Sequence, residues 1–208
     1  MNTKTATIID IKATDRTRYA QATQVSWSRI TFTTDSVNFL TETNPKRTYE
    51  SNHELCFVHR TISSEQKGLN GIHHRELEHA KPYKEVLHRI ISKVEDDYIV
   101  CHDAQLTRQI LINAVVRVDN FKFICLSTLV KNLYPKLGSY TIPTLIYEFC
   151  ENTAIDYMPH NWHGRYDATF VRHILKQVCI LNNLNSMDDI YRVCESVTNN
   201  EAKYNGKN

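Results

Sequence analysis

TIIDIKATD, residues 7–15, is an apolar run short enough to be a buried strand, and it ends on a carboxylate, Asp10. A carboxylate at the end of a buried strand is costly to desolvate, so it is either hydrogen-bonded or placed to hold a cation. Side chains alternate along a strand with a period of two, so Asp-x-Glu here would put two carboxylates on one face and could grip Mg²⁺. The chain reads Asp10-Ile11-Lys12 instead. An ammonium stands where a metal pair would be completed, and it competes with a cation rather than binding one. A lone Asp after a core strand commonly caps or faces solvent, so the rest of the chain has to decide its use.

At 208 residues the length favours one domain, with a core that needs no staples. Hydrophobic residues at 41% and charged residues at 23% exclude disorder for the bulk of the chain, and no apolar run approaches the length of a membrane span. MNTKT leads straight into a strand-length run without a signal-peptide pattern, so a cytoplasmic protein with no membrane partner is expected. Cys56, Cys101, Cys125, Cys150, Cys179 and Cys194 form no C-x-x-C pair and mostly sit in apolar segments, which points to buried free thiols. The formal net charge of +2 permits a polyanionic partner without demanding one. With 5 Gly and neither G-x-G-x-x-G nor a Walker A pattern, a glycine-rich phosphate cradle is excluded.

Outward from the first strand, Ala20 to Phe32 alternates β-branched and aromatic residues and suits a strand paired beside it. Thr33 to His53 is polar, carries the turn signal Asn44-Pro45, and reads as an extended hairpin or surface insertion before a strand at Leu55 to His59. Ile62 to His74 reads as irregular, punctuated by Gly68 and Gly71. A helix is expected from about Lys81 to Val94, with Pro82 in its first turn and Val86, Leu87, Ile90, Ile91 and Val94 as its apolar stripe. Tyr98 to Cys101 reads as a short buried strand, followed by His102 and a helix carrying Ile110, Leu111 and Val115. Phe121 to Leu126 and Ser127 to Leu133 repeat strand then helix. This alternation predicts parallel strands in an α/β sheet, with ligands beyond the carboxyl ends, where Asp10 and His102 both fall. Further helices are expected at Pro143 to Cys150, Tyr166 to Leu181 and Met187 to Val197, then a disordered polar tail, Thr198 to Asn208.

Four pieces then stand in order: IIDIKATD, GLNGIHHRELEHAKPYKEVL, VCHDAQLTRQIL and WHGRYDATFVRHIL. Their order, spacing and placement resemble the DEDDh exonucleases, the superfamily of bacterial proofreading subunits, ribonuclease T and exonuclease X. The resemblance covers most of Ala6 to Leu181. SMDDIYRVCES followed by KYNGK is similar to the C-terminal extension of exonuclease-X-like proteins, so residues 1–181 are expected as an exonuclease-like domain and 182–208 as an extension with a short helix and polar tail. The resemblance implies a ribonuclease-H-like α/β fold, a central mixed sheet flanked by helices.

In that superfamily four carboxylates hold two divalent cations about 4 Å apart, and a histidine acts as base. Carried over by motif, the first Asp is Asp10 and the last is Asp167. Lys12 replaces the Glu, Thr107 replaces the second Asp while His102 of the same motif is kept, and Trp162 stands at the base position. His163 is one residue nearer to Asp167, the spacing at which the DEDDy branch places a tyrosine. Asp10, Asp167 and Lys12 sum to one net negative charge, so Asp10 and Asp167 could hold at most one ion, and Lys12 is expected to form an internal ion pair. The resemblance therefore implies a degenerate exonuclease that binds single-stranded DNA or RNA, or a protein partner, with no resident cofactor. One alternative is a working 3′-5′ exonuclease using Mg²⁺ or Mn²⁺ at Asp10 and Asp167 with His163 or His102 as base. The other is a protein-interaction module using the insertion at Thr33 to His53. Lys81, Lys84, His88, Arg89, Arg108, Arg165 and Arg172 are candidates for one basic face.

Overall fold

The computed structural model describes residues 3–33, 36–41, 52–94, 98–151 and 167–204. The run at residues 7–15 lies within β1 (Thr3–Ala13) and the turn after it, and β1 is central because its odd and even residues are both buried. Ala6 and Ile8 point to one face of the sheet, Ile9, Ile11 and Ala13 to the other. Such a strand needs neighbours on both sides. β2 (Ala22–Thr33) runs antiparallel along one flank, with Asp10 opposite Ser26 and Lys12 opposite Gln24. β6 (Tyr98–Cys101) runs parallel along the other flank, and β7 (Lys122–Cys125) lies parallel beyond it. The parallel, adjacent strands expected near Ala6, Tyr98 and Phe121 are present. β3 (Ser36–Thr41) and β4 (Asn52–Phe57) both pair antiparallel with β2, and a two-residue β5 (Lys81–Pro82) adds to β4 in parallel. The sheet is mixed, in the order β5-β4-β2-β1-β6-β7 with β3 beside β2.

Helices cover both faces. On the side of Ile9 lie α2 (Tyr83–Ile91) and α3 (Ala104–Asn113), burying Val86, Leu87, Ile110 and Leu111. On the side of Ile8 lie α4 (Leu126–Leu133), α5 (Ile142–Phe149), α6 (Asp167–Leu181) and α7 (Met187–Tyr204), burying Leu129, Leu145, Phe170, Ile174 and Ile190. The ribonuclease-H-like α/β architecture is thus the one observed. Among the described residues no helix is long and apolar enough to cross a membrane, and all six cysteines are free thiols.

Three segments differ from the sequence reading. Ile62 to His74 is not irregular, because Ser64–Asn70 forms α1, with Ser63 Oγ accepting from the Gln66 amide at 3.2 Å and Gly71 closing it at φ 66°. The helix expected from Lys81 starts at Tyr83, because Lys81 and Pro82 pair in register with Cys56 and Phe57 and Pro82 becomes the cap. The tail expected to be disordered is helical to Tyr204, which follows from the lack of any Pro or Gly between Met187 and Gly206. Met187, Ile190 and Cys194 of this helix join the core against α4 and β7.

Candidate nucleic-acid site at the carboxyl end of the sheet

β1 and β6 pair Thr7 with Ile99 and Ile8 with Val100, and continuing that register sets Asp10 level with His102. Both residues line a cavity of about 290 Å³ beyond the strand ends. Its other walls include Lys12 of β1, Arg16 of the β1–β2 turn, Gln66 and Asn70 of α1, Asp103 at the start of α3, Thr107 within it, and Thr141 before α5.

Asp10 is 8% exposed, and Lys12 follows it on the same face of β1, as the strand period requires. Lys12 Nζ stands 3.8 Å from Asp10 Oδ2. That is longer than a charge-assisted hydrogen bond and is worth about 4 kcal/mol in Coulomb energy at the screening usual near a protein surface, before desolvation is subtracted. The ammonium therefore sits beside the carboxylate. The first turn of α6 comes over the same row. The Ala168 amide donates to Ser26 Oγ at 3.3 Å, and Ser26 Oγ donates to the Asp10 carbonyl at 3.5 Å. The backbone of Asp167 thus begins α6 next to the cross-strand partner of Asp10, and its side chain lies outside the described ones, as do Trp162, His163 and Arg165.

The other two sequence candidates are occupied structurally. His102 Nε2–H donates to the Tyr140 carbonyl at 2.8 Å, tying the end of β6 to the approach of α5. A ring nitrogen that carries this proton cannot take one from water. Thr107, 4% exposed, hydrogen-bonds the Cys101 sulfur. Burial, then the neighbouring Cys125 sulfur, hold the Cys101 thiol well above its ordinary range despite that bond, so the thiol is an inert core group.

A two-cation centre needs several convergent oxygen or nitrogen ligands. The described residues around the cavity supply the Asp10 carboxylate beside an ammonium, the Asp103 carboxylate paired with Arg16, and a threonine committed to a thiol, a set that does not fit it. Among the described residues no group of three or more His, Cys, Asp or Glu side chains could hold a metal ion.

The sequence reading missed α1. Gln66 and Asn70 are both buried, with Asn70 Nδ2 donating to Gln66 Oε1 at 3.1 Å, and they present amide groups to the cavity. The signal for this helix was Ser63-x-x-Gln66, a capping pattern. It also missed Arg16, which lines the cavity and pairs with Asp103, the N-cap of α3. Of the residues expected to share a basic face, Arg165 lies outside the described ones and three of the others are separated or already paired. Arg89 pairs with Glu54 and Arg108 with Asp119, both on the α2–α3 side, while Arg172 is buried on α6 on the opposite side of the sheet.

No family model and no curated protein matches this sequence. Solved structures do match in fold. Exonuclease X in complex with 5′ overhanging duplex DNA superposes with a TM-score of 0.65 at 16% identity over 91% of this chain and 99% of that one. E. coli exonuclease I in complex with a dA16 oligonucleotide gives 0.61 at 14% identity, covering 90% of this chain and 42% of the other. A 3′-exonuclease described in 3′-end specific recognition of histone mRNA stem-loop gives 0.59 at 12% identity over 88% and 84%. The cavity at the ends of β1 and β6 therefore belongs to a chain folded as these 3′-exonucleases are.

Proposed function

We propose that this chain is an exonuclease-fold protein that binds single-stranded nucleic acid at the carboxyl end of its sheet without cutting it. One observation carries the reading: the Lys12 ammonium lies 3.8 Å from the Asp10 carboxylate, and in this reading it takes the role of the cation that metal-assisted hydrolysis would use. The neighbours support the ligand class, since solved complexes of this fold hold DNA and RNA. In this reading Lys12 and Arg16 meet phosphate, and the amides of Gln66 and Asn70 meet sugar or base edges. His102 and Thr107 hold the walls rather than move protons. Residues 182–208 are read as an extension, of which Met187, Ile190 and Cys194 pack into the core. No step of the reading needs a resident metal.

The experiment is a pair of assays on the full chain. Short single-stranded DNA and RNA should shift in anisotropy equally well in EDTA and in Mn²⁺, with affinity falling as salt rises. Incubation of 3′-labelled oligonucleotides with Mg²⁺ or Mn²⁺ should release no mononucleotide. Release that disappears in Asp10→Ala would overturn the reading.

A further inference from the structure

The turn between β1 and β2 carries an exposed aromatic that no part of the core uses. Tyr19 is 55% exposed, with the Arg18 guanidinium carbon 4.6 Å and that of Arg60 5.8 Å from its ring centroid. Exposed rings on turns are usually held loosely, but this one is not. Asn113 Nδ2 donates to the carbonyls on either side of it, Arg18 at 3.0 Å and Ala20 at 3.1 Å. The Thr14 amide donates to the Gln21 carbonyl at 2.9 Å, and Gln21 Oε1 accepts from the amides of His59 and Arg60. Ala20 is fully buried. A ring carried on such a backbone needs no ordering of the turn on binding.

The same turn links two cavities. Arg16, Asp103 and Leu106 line both the cavity beside Asp10 and a second one of about 250 Å³, and the Arg16–Asp103 ion pair stands between them. Thr17, Arg18, Gln105 and Gln109 complete the second cavity. Asp15 and Asp103 pair with Arg60 and Arg16, and among the described residues no carboxylate pairs with Arg18. One guanidinium thus remains available at the rim.

We propose that Tyr19 is a stacking platform for an unpaired base of a single-stranded nucleic acid, whose backbone passes Arg18 and whose neighbouring nucleotide enters the second cavity. A base stacks on either the ring or the guanidinium above it, and the free charge of Arg18 meets the adjoining phosphate. Phosphate contacts and stacking are separable in solution, because only the former release counterions. This inference rests on the single-strand binding proposed above.

The test is anisotropy of labelled oligothymidine and oligouridine against salt for the full chain and its variants. Tyr19→Ala should weaken binding about 5- to 100-fold and leave the salt slope unchanged. Tyr19→Phe should keep most of the affinity, and Tyr19→Leu should lose it, since bulk without a π face cannot stack. Arg18→Ala should lower the salt slope by about 0.7, as expected for one lost single-strand phosphate contact. The melting temperature of each variant, measured alongside, should match wild type because both side chains are exposed. If wild type binds and Tyr19→Ala or Tyr19→Leu binds equally well, the platform is overturned and the single-strand reading stands. If wild type binds neither oligonucleotide, that reading falls and the platform with it.

Discussion

Asp10 and Asp15 stand at the end of the same strand and are held in opposite ways. Asp15 accepts from the Thr17 amide at 2.7 Å, the Thr14 hydroxyl at 2.9 Å, the Thr17 hydroxyl, and Arg60 Nε at 3.4 Å. Burial pushes its carboxyl upward, but the bonds from Thr17 and Thr14 and the charge of Arg60 outweigh it and hold the group below the ordinary carboxylate range. Asp10 lies deeper and meets Lys12 at 3.8 Å, a Coulomb contact without hydrogen-bond geometry. The first carboxylate is spent on fixing the turn that carries Tyr19. The second lines the cavity beside the Lys12 ammonium, the position of a site rather than of a turn brace.

The comparison can be tested by acid, once a larger effect is subtracted. Burial first, then the charges of Arg172 and Lys176, lower the His173 pKa from 6.5 to about 4. The unfolded chain therefore binds the proton more readily than the folded one, so stability is complete above pH 6.5 and is lost as pH falls toward about 4, by roughly 3 kcal/mol. Urea unfolding across that window should show the loss in wild type and a flattened profile in His173→Gln. A flat wild-type profile would mean that the histidine is solvated.

Asp15→Ala should come next, destabilising by about 2–3 kcal/mol through the loss of an ionised acceptor that serves four donors. Because the folded pKa of Asp15 lies below 3.8, its contribution is present above that pH and disappears as pH falls through the lower folded value. The cost of Asp15→Asn should accordingly shrink toward zero once pH has fallen below that lowered folded pKa. If Asp15→Ala keeps both its stability and its oligonucleotide affinity, the contrast between brace and site is wrong.

Lys12→Ala probes the other carboxylate. Removing the ammonium leaves Asp10 buried without that charge, so about 1–2 kcal/mol of stability should be lost near neutral pH, less than for a fully buried pair because Lys12 is partly exposed. Divalent cation should restore part of it in the variant and do nothing to wild type. Lys12→Glu sharpens the point, since it places two carboxylates on one face and should raise the melting temperature in Mn²⁺ relative to EDTA. Equal melts in all conditions would show that Lys12 points away from Asp10 in solution.

What could be read from the sequence was whatever depends on short periods. Thr7 to Lys12 announced a buried strand and put Asp10 and Lys12 on one face, and the runs at Tyr98 and Phe121 announced its parallel neighbours, because alternation and apolar length are local properties. α1 was hidden by Gly68, which sits inside a helix and would meet nothing within 4 Å if it carried a Cβ, so its glycine identity reports no turn at all. The rigid setting of Tyr19 was illegible for another reason. It depends on Asn113 and the amides of His59 and Arg60 reaching the turn from elsewhere in the fold, and TDRTRYAQ contains no local trace of these bonds.

The smallest effect concerns the helix that delivers Asn113. α3 ends in a Schellman motif: the Val116 amide donates to the Leu111 carbonyl at 3.0 Å and the Val115 amide to the Ile112 carbonyl at 2.8 Å. This geometry places Val115 at φ 63°, a region that a β-branched side chain adopts only under strain. α6 ends in the same motif, with the Leu184 amide on the Cys179 carbonyl, but there Asn183 takes the left-handed position at φ 53°, a residue that tolerates it. Val115 is 73% exposed, so its side chain contributes little packing to offset the strain. Val115→Gly should therefore stabilise the protein, by about 1 kcal/mol after the greater freedom of glycine in the unfolded chain is allowed for. It should do so without altering oligonucleotide affinity, because Asn113 keeps its helical position and its hold on the carbonyls of Arg18 and Ala20. Urea unfolding and anisotropy on the same preparation decide it. Loss of stability would show that the Val115 side chain is packed in solution, and a change in affinity would show that strain at the end of α3 is transmitted to the turn that bears Tyr19.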